Sequence, residues 1–266
     1  MSSDGIYPPA SVSWRVNREA ALLLGGGRAL LMQLAHPLVA RGVDEHSDFR
    51  RRPVRRLQRT LSLTLALSFG TRPEALAAAR AINLTHQGVR GAGYSARDPE
   101  LLLWVHATLV DTALVAYTTF VGPLSDGERE AYVRESRTVG ELLGIPATAF
   151  AADLAAFDAY LELMTRSVLS VDERARALAR TVLTPPLRLP SGAGFPLRAV
   201  TAGLLPAGLR EAYGLPWGRP QRAAFALARD GFRRVGPLVP RPLRNVPQAR
   251  IAERRIRSSK EIGHGG

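Results

Sequence analysis

From the N-terminal region to about residue 180, apolar residues recur every three to four positions, the spacing of one face of an α-helix, and no alternating β-branched runs mark a sheet. The first such stretch, 17–33, ends near His36-Pro37, where proline discourages continuation. A second covers 53–69, with the basic run RRPVRR at its start. In TRPEALAAARAINLTHQGVRG, Thr71 is the cap, Pro73 and Glu74 stand in the first turn and Gly91 is the stop. Asp98-Pro99-Glu100 opens a helix reaching about Val121, and Ser125 caps another through Leu143, with Gly144 after it. Helices over 148–169 and 172–182 continue the pattern, and shorter ones follow over 197–204, 206–213 and 220–235. The elements predict an all-α fold: a single-domain helical bundle over 14–235 with extra C-terminal helices. A basic, proline-interrupted tail over 236–266 is expected to be peripheral or partly disordered. No repeat of fixed period appears.

Composition narrows the chemistry. With 266 residues, 46% of them hydrophobic, the chain can bury a sizeable core, and its lack of cysteine removes disulfides, thiolate ligands, iron–sulfur clusters and cysteine nucleophiles together. The formal net charge is +13, and residues 184–266 carry most of it, with 15 Arg or Lys against 4 Asp or Glu. Lys260 is the only lysine, a bias expected of a GC-rich genome, so the charge itself is discounted. A basic flank suits a solvated face, nucleic acid or an anionic membrane surface. With only 6% aromatic residues and no run of them near the arginines, stacking platforms for nucleic acid are missing, which favours membrane among the partners. The opening MSSDGIYPPASVSWRVNR lacks the basic-then-apolar order of a secretion signal, so a cytoplasmic location is expected. One stretch, 101–125, is long enough to span a bilayer, but Asp111 at its centre would cost roughly 2.5–3.5 kcal/mol there, so it reads as a buried core helix.

Histidines on apolar helices carry the strongest chemical signal. Helical geometry surrounds His86 with Ile82 and Asn83 one turn before and Val89 and Arg90 one turn after. Imidazole, apolar walls and a cation together suit a haem, with His86 as the metal ligand and Arg90 near the propionates. The bland alternative is a helix-end histidine bonded to a carbonyl. His106, flanked by Leu102, Leu103, Leu109 and Val110, is either a satisfied core histidine or a second cofactor contact. Arg56 and Thr60 stand one turn apart with Arg59 between them, a cation and hydroxyl set that could polarise bound dioxygen, or merely a basic helix start. His36 and His46 lie near Asp44, Glu45 and Asp48, so a metal site there is conceivable. No Glu-x-x-His or His-Glu-x-x-His pattern occurs, which lowers a carboxylate-bridged di-metal enzyme. Gly25-Gly26-Gly27 precedes Arg28 without the strand or the Gly-Lys-Ser/Thr of a phosphate loop; a flat cofactor or a crossing helix would explain the glycines equally, and Arg28 joins the candidate cofactor contacts.

Taken in order, GGGRALLMQLAHPLVARGVDEHSDF, RLQRTLSLTLALSFGT, INLTHQGVRGAGYSARDPELLLWVHATLVDT, YVRESRTVGELLGIP and YLELM resemble the catalytic domain shared by rubber oxygenases (latex-clearing proteins) and the fungal oxygenase of mycophenolic acid biosynthesis. The resemblance runs from about Trp14 to about Val235. It implies a globin-like all-α core around haem b and oxidative cleavage of isoprenoid carbon–carbon double bonds. It also implies that His86 matches the axial histidine, with Arg90 following it, and that Arg56 and Thr60 match the family's Arg-x-x-x-Thr pattern. Arg59 stands where the rubber oxygenase has a distal lysine, and a guanidinium cannot readily serve as a neutral ligand. The chain is shorter than the polymer-cleaving members, so a small lipophilic substrate and dioxygen are the expected partners. A non-catalytic haem- or lipid-binding protein with the same pocket is the alternative.

Overall fold

The computed structural model describes residues 5–46, 53–184 and 194–263, without the side chains of 53–57 and 260–263. Among these residues the chain folds into fourteen α-helices and one two-stranded hairpin, the all-α class predicted. Helices α1 (Val12–Asn17), α2 (Gly26–Leu34) and α3 (Pro37–His46) are followed by α4 (Pro53–Phe69) and α5 (Arg72–Gln87). After the hairpin β1 (Arg90–Gly91) and β2 (Tyr94–Ser95) come α6 (Pro99–Phe120), α7 (Asp126–Leu142), α8 (Leu154–Ser167) and α9 (Glu173–Leu183). The C-terminal set is α10 (Phe195–Leu204), α11 (Ala207–Ala212), α12 (Arg219–Val235), α13 (Arg241–Arg244) and α14 (Pro247–Gly263).

Side-chain chemistry sets most of the boundaries. Thr71 and Ser125 form reciprocal capping boxes with Glu74 and Glu128, satisfying donors at the starts of α5 and α7. Asp98, Asp153 and Asp172 cap α6, α8 and α9 in the same way with a carboxylate. Two expected boundaries move. The apolar stretch 17–33 is interrupted: α1 ends at Asn17 and a 3₁₀ turn over Ala20–Gly25 precedes α2. Pro37 opens a further helix, because a proline without an N–H is well suited to the first turn.

At the centre lies α6. It is apolar on nearly every side, and Trp104, Ala107, Thr108, Ala116 and Phe120 are all essentially inaccessible. It is the one helix among the described residues long and apolar enough to cross a membrane, and 61% of its apolar window is buried inside the protein, as expected of a core helix. Helix α2 lies against it. A Cβ on Gly25 would come 2.7 Å from Thr112 Cγ2, and one on Gly27 would run into the Thr201 hydroxyl of α10. Gly25 and Gly27 therefore serve the close crossing of helices, the second of the two explanations open in the sequence.

The stretch after residue 235 is not a loose tail. Val246, Ala249 and Ala252 are buried with Tyr7, Trp14, Leu65 and Phe69 in a core cluster, and the Val246 N–H donates to the Arg18 carbonyl at 2.8 Å. Arg244 pairs with buried Glu19 at 3.2 Å, and the Arg255 guanidinium donates to the Phe69 carbonyl at 3.0 Å. Small apolar residues at helical spacing dock this segment while its arginines stay at the rim; the basic, proline-rich composition hid the stripe.

The crossing makes a pair of contrasting substitutions informative. Gly27→Ala is expected to lose about 1–3 kcal/mol through overpacking. Gly26→Ala, where an added Cβ meets nothing within 4 Å, is expected to be neutral or to gain up to about 1 kcal/mol. Urea midpoints of the two variants measure the difference, and equal shifts would contradict the close crossing.

Candidate functional site

The predicted site residues fall into three places rather than one. The first is the end of α5. Its inner face carries Ala79, which is buried, Ile82, which packs against the α4–α7 cluster, and Asn83, whose side-chain amide donates to the Leu142 carbonyl of α7 at 3.0 Å. His86 follows one turn later. Its carbonyl accepts the N–H groups of Gly88 and Val89, and its ring Nδ1 is buried with no hydrogen-bond partner. Burial alone lowers its pKa from the ordinary histidine value, so the imidazole is neutral near pH 7.

Beside it, the Arg59 guanidinium donates to Thr85 Oγ1 at 3.3 Å, bringing the first half of α4 alongside the end of α5. Arg59 and Thr60 are both exposed, and the Thr60 carbonyl accepts from Thr64 Oγ1 at 2.9 Å. Arg56 lies one turn earlier on α4, and its side chain is outside the described residues. Arg90 is not on the helical turn after His86. Helix α5 stops at Gln87, with Gly88 as its C-cap, and Arg90 sits exposed in β1 opposite Ser95. Glycine at the cap ended the helix sooner than the apolar period implied.

The second place is the α2–α6 crossing, which holds Arg28. Its guanidinium donates to the Leu204 carbonyl at 2.8 Å, to Thr112 Oγ1 at 2.7 Å and to Asp111 Oδ2 at 2.5 Å. Three of its five N–H donors are thus held by protein partners, and Arg28 serves as a buried ion pair between helices, whereas it was expected among the cofactor contacts.

His106, on α6, is the third. It does not join His86, because α7 stands between them: Asn83 of α5 bonds Leu142, whereas His106 meets Ser136 further back on the same helix. Ser136 Oγ donates to the Val133 carbonyl at 2.7 Å, so the contact of 3.3 Å between it and His106 Nε2 is one in which the ring donates. Burial pushes the His106 pKa down to about 4. A cavity of about 120 Å³ adjoins the ring, and Phe150 meets it edge-on with centroids 5.8 Å apart. A second hollow, between the start of α1 and Glu128, is lined by Arg15 and Arg18, and neither of these two is lined by His86. Ser136 and Phe150 escaped sequence reasoning. Gly140, an unexplained glycine inside α7, was the available sign, since the Phe150 ring lies where its side chain would be.

His36 and His46 do not build a metal centre: among the described residues no three His, Cys, Asp or Glu come together, and Asp48 lies outside them. His36 is buried, with Nδ1 unpartnered and its pKa lowered chiefly by burial.

A helical domain with a half-buried imidazole at the end of one helix, Arg59 held against the residue before it and, among the described residues, no cluster of three metal-ligating side chains is the context of the family match. The chain belongs to the family of ER-bound oxygenase mpaB/B' and rubber oxygenase catalytic domains, whose sequence model matches residues 14–239. It is similar to an uncharacterized protein of Mycobacterium tuberculosis and to one of Mycobacterium bovis, each 30% identical over 227 residues, covering 79% of this chain and 87% of the relative. No solved structure matches the chain.

The buried state of His106 predicts a pH dependence. In the unfolded chain this ring takes its proton near pH 6.5, in the folded chain only near pH 4, so acidification across that window favours unfolding. Stability measured by urea denaturation should fall by up to about 3 kcal/mol between pH 6.5 and pH 4 from this group alone. The slope should shrink in His106→Gln; an unchanged slope there would assign the effect to other groups.

Proposed function

We propose that this chain is a haem b-dependent oxygenase, with His86 as the iron ligand, that uses dioxygen on a small lipophilic, isoprenoid-like substrate by oxidative C=C cleavage or a related oxygenation. The observation that carries the reading is the buried, unpartnered Nδ1 of His86 in a member of an oxygenase family. A buried polar nitrogen left without a partner costs stability, and a ligand that accepts its lone pair removes that cost. Porphyrin iron asks the protein for one axial imidazole, and among the described residues no cluster of three ligands offers a place for a bare ion instead. The donor chemistry at His86 supports the group, while neither hollow described above is lined by this residue.

The chemistry supplied by haem when bound is activation of dioxygen toward an alkene. The chain's own part is to bind, orient and exclude water. His86 offers a neutral imidazole, with its backbone held by the N–H groups of Gly88 and Val89. Arg59, held against Thr85, would supply a cation for a propionate or for dioxygen. Thr60 and Arg56 add a hydroxyl and a further cation on the same helix, and Arg90 stands just past the helix end. His106, separated by α7, is left out of this set. Absorption spectra test the ligand: wild-type protein loaded with haem should show a Soret band that His86→Ala loses or shifts. A band of unchanged position and intensity would overturn the assignment, and oxygen uptake with a panel of terpenoids, quinones and carotenoids separates turnover from mere binding.

The same reading puts the protein in the cytoplasm, in peripheral contact with the anionic inner face of the membrane, where lipophilic substrates dissolve. Its support is the C-terminal third, in which Leu227, Leu238 and Leu243 are each at least three-quarters exposed among the arginines Arg234 and Arg241. Sedimentation with phosphatidylserine vesicles should carry the protein down at low salt and release it at high salt. The double variant Leu238→Asp, Leu243→Asp should stay in the supernatant. Equal sedimentation with neutral vesicles, or no effect of the variant, would count against this position.

A further inference from the structure

We propose that the cavity over His106 is a ligand site separate from the His86 position, for a compact neutral molecule with an apolar body and one hydroxyl donor, such as a phenol or a short alcohol. Its walls are apolar: Leu103 and Ala107 of α6, Val133 of α7, and Phe157 and Tyr160 of α8. The volume, about 120 Å³, is near that of engineered apolar cavities that take up benzene. Water suits it poorly, because an ordered water needs two to four polar partners and these walls offer few.

Two polar atoms without a partner belong to residues that line the cavity, His106 Nδ1 and the buried Arg137 Nε. The Ser136 hydroxyl proton goes to the Val133 carbonyl, so His106 Nε2 carries the ring proton and Nδ1 keeps its lone pair. Nδ1 has no hydrogen-bond partner among the described residues, although the ring is 91% buried and lines the cavity. A hydroxyl can donate to the neutral imidazole and accept from the Arg137 Nε–H, which defines the polar end of the ligand; a carboxylate has no proton to give the ring, and a cation would meet the guanidinium and lose its hydration among these walls.

The cover over the ring is built into the chain. Arg137 of α7 donates to the carbonyls of Ala151 (2.6 Å) and Ala152 (2.8 Å), pinning the connection between α7 and α8 across the cavity. Phe150 on that connection sits against Gly140, where a Cβ would come 2.6 Å from Phe150 Cζ. A glycine inside a helix is unfavourable by about 1 kcal/mol relative to alanine, so a ring seat of this kind accounts for its presence at Gly140.

Calorimetric titration of the full chain with phenol and with toluene, the same ring without the hydroxyl, tests the proposal. Phenol should bind the wild type with a dissociation constant of about 1 mM or tighter. Toluene should bind roughly tenfold more weakly, as the loss of one hydrogen bond predicts. His106→Leu should bind the two alike. Ala156→Leu, which fills the cavity from a half-buried position on α8, should bind neither while keeping its melting temperature, which makes it the control if the histidine variant does not fold. Absence of phenol binding by the wild type, equal binding of phenol and toluene by the wild type, or phenol binding that survives in Ala156→Leu would each overturn it.

Discussion

A buried guanidinium paired with a carboxylate between two helices is the constraint on which the rest of this structure depends. Arg28 on α2 meets Asp111 and Thr112 on α6 and the end of α10 at once, in a region where a charge left alone would cost several kcal/mol. These bonds tie α2, α6 and α10 to one another at a single point. The glycines at 25 and 27 allow the backbones to come close enough for these bonds, and the Gln33 amide bond to Thr108 Oγ1 at 3.1 Å extends the same antiparallel register along α6. With α6 fixed in position and rotation, Trp104 and Phe120 face the core, and His106 is turned toward α7.

The two histidines that dominate the sequence then diverge under the same physics. Burial lowers the proton affinity of both, so both are neutral imidazoles with a lone pair to give. His106 has one nitrogen bonded to Ser136 and a small apolar cavity at its side. His86 has a buried nitrogen bonded to nothing, at a helix end where the neighbouring helix brings arginine and threonine. The difference between a core imidazole and a ligand-ready one is thus a matter of which hydrogen bonds the surrounding helices supply, not of burial as such. The His86 nitrogen, in a member of an oxygenase family, is the proposed place for iron.

Much of this was legible in the chain. Caps at Thr71, Asp98, Ser125 and Asp172 announce their helices because a short polar side chain before an apolar period has little other use. The helix start at Pro53 and the central apolar helix were equally plain. Arg28 was not, since a cation beside three glycines looks the same whether it faces a propionate or an aspartate 83 positions away. Arg90 was misplaced because helical period says nothing about where a helix stops, and Gly88 rather than Gly91 made the end. The docking of α14 was concealed by composition: Val246, Ala249 and Ala252 form a stripe too small to stand out among arginines and prolines.

Iron binding at the free ring nitrogen of His86 is the proposal on which the function rests. Nitrogen NMR of protein labelled at its histidine rings, titrated with diamagnetic zinc protoporphyrin, observes that nitrogen directly. One ring, removed from the spectrum by His86→Ala, should shift at stoichiometric porphyrin while the His106 resonances keep their positions. A spectrum in which the His86 ring stays unmoved as porphyrin binds would contradict it.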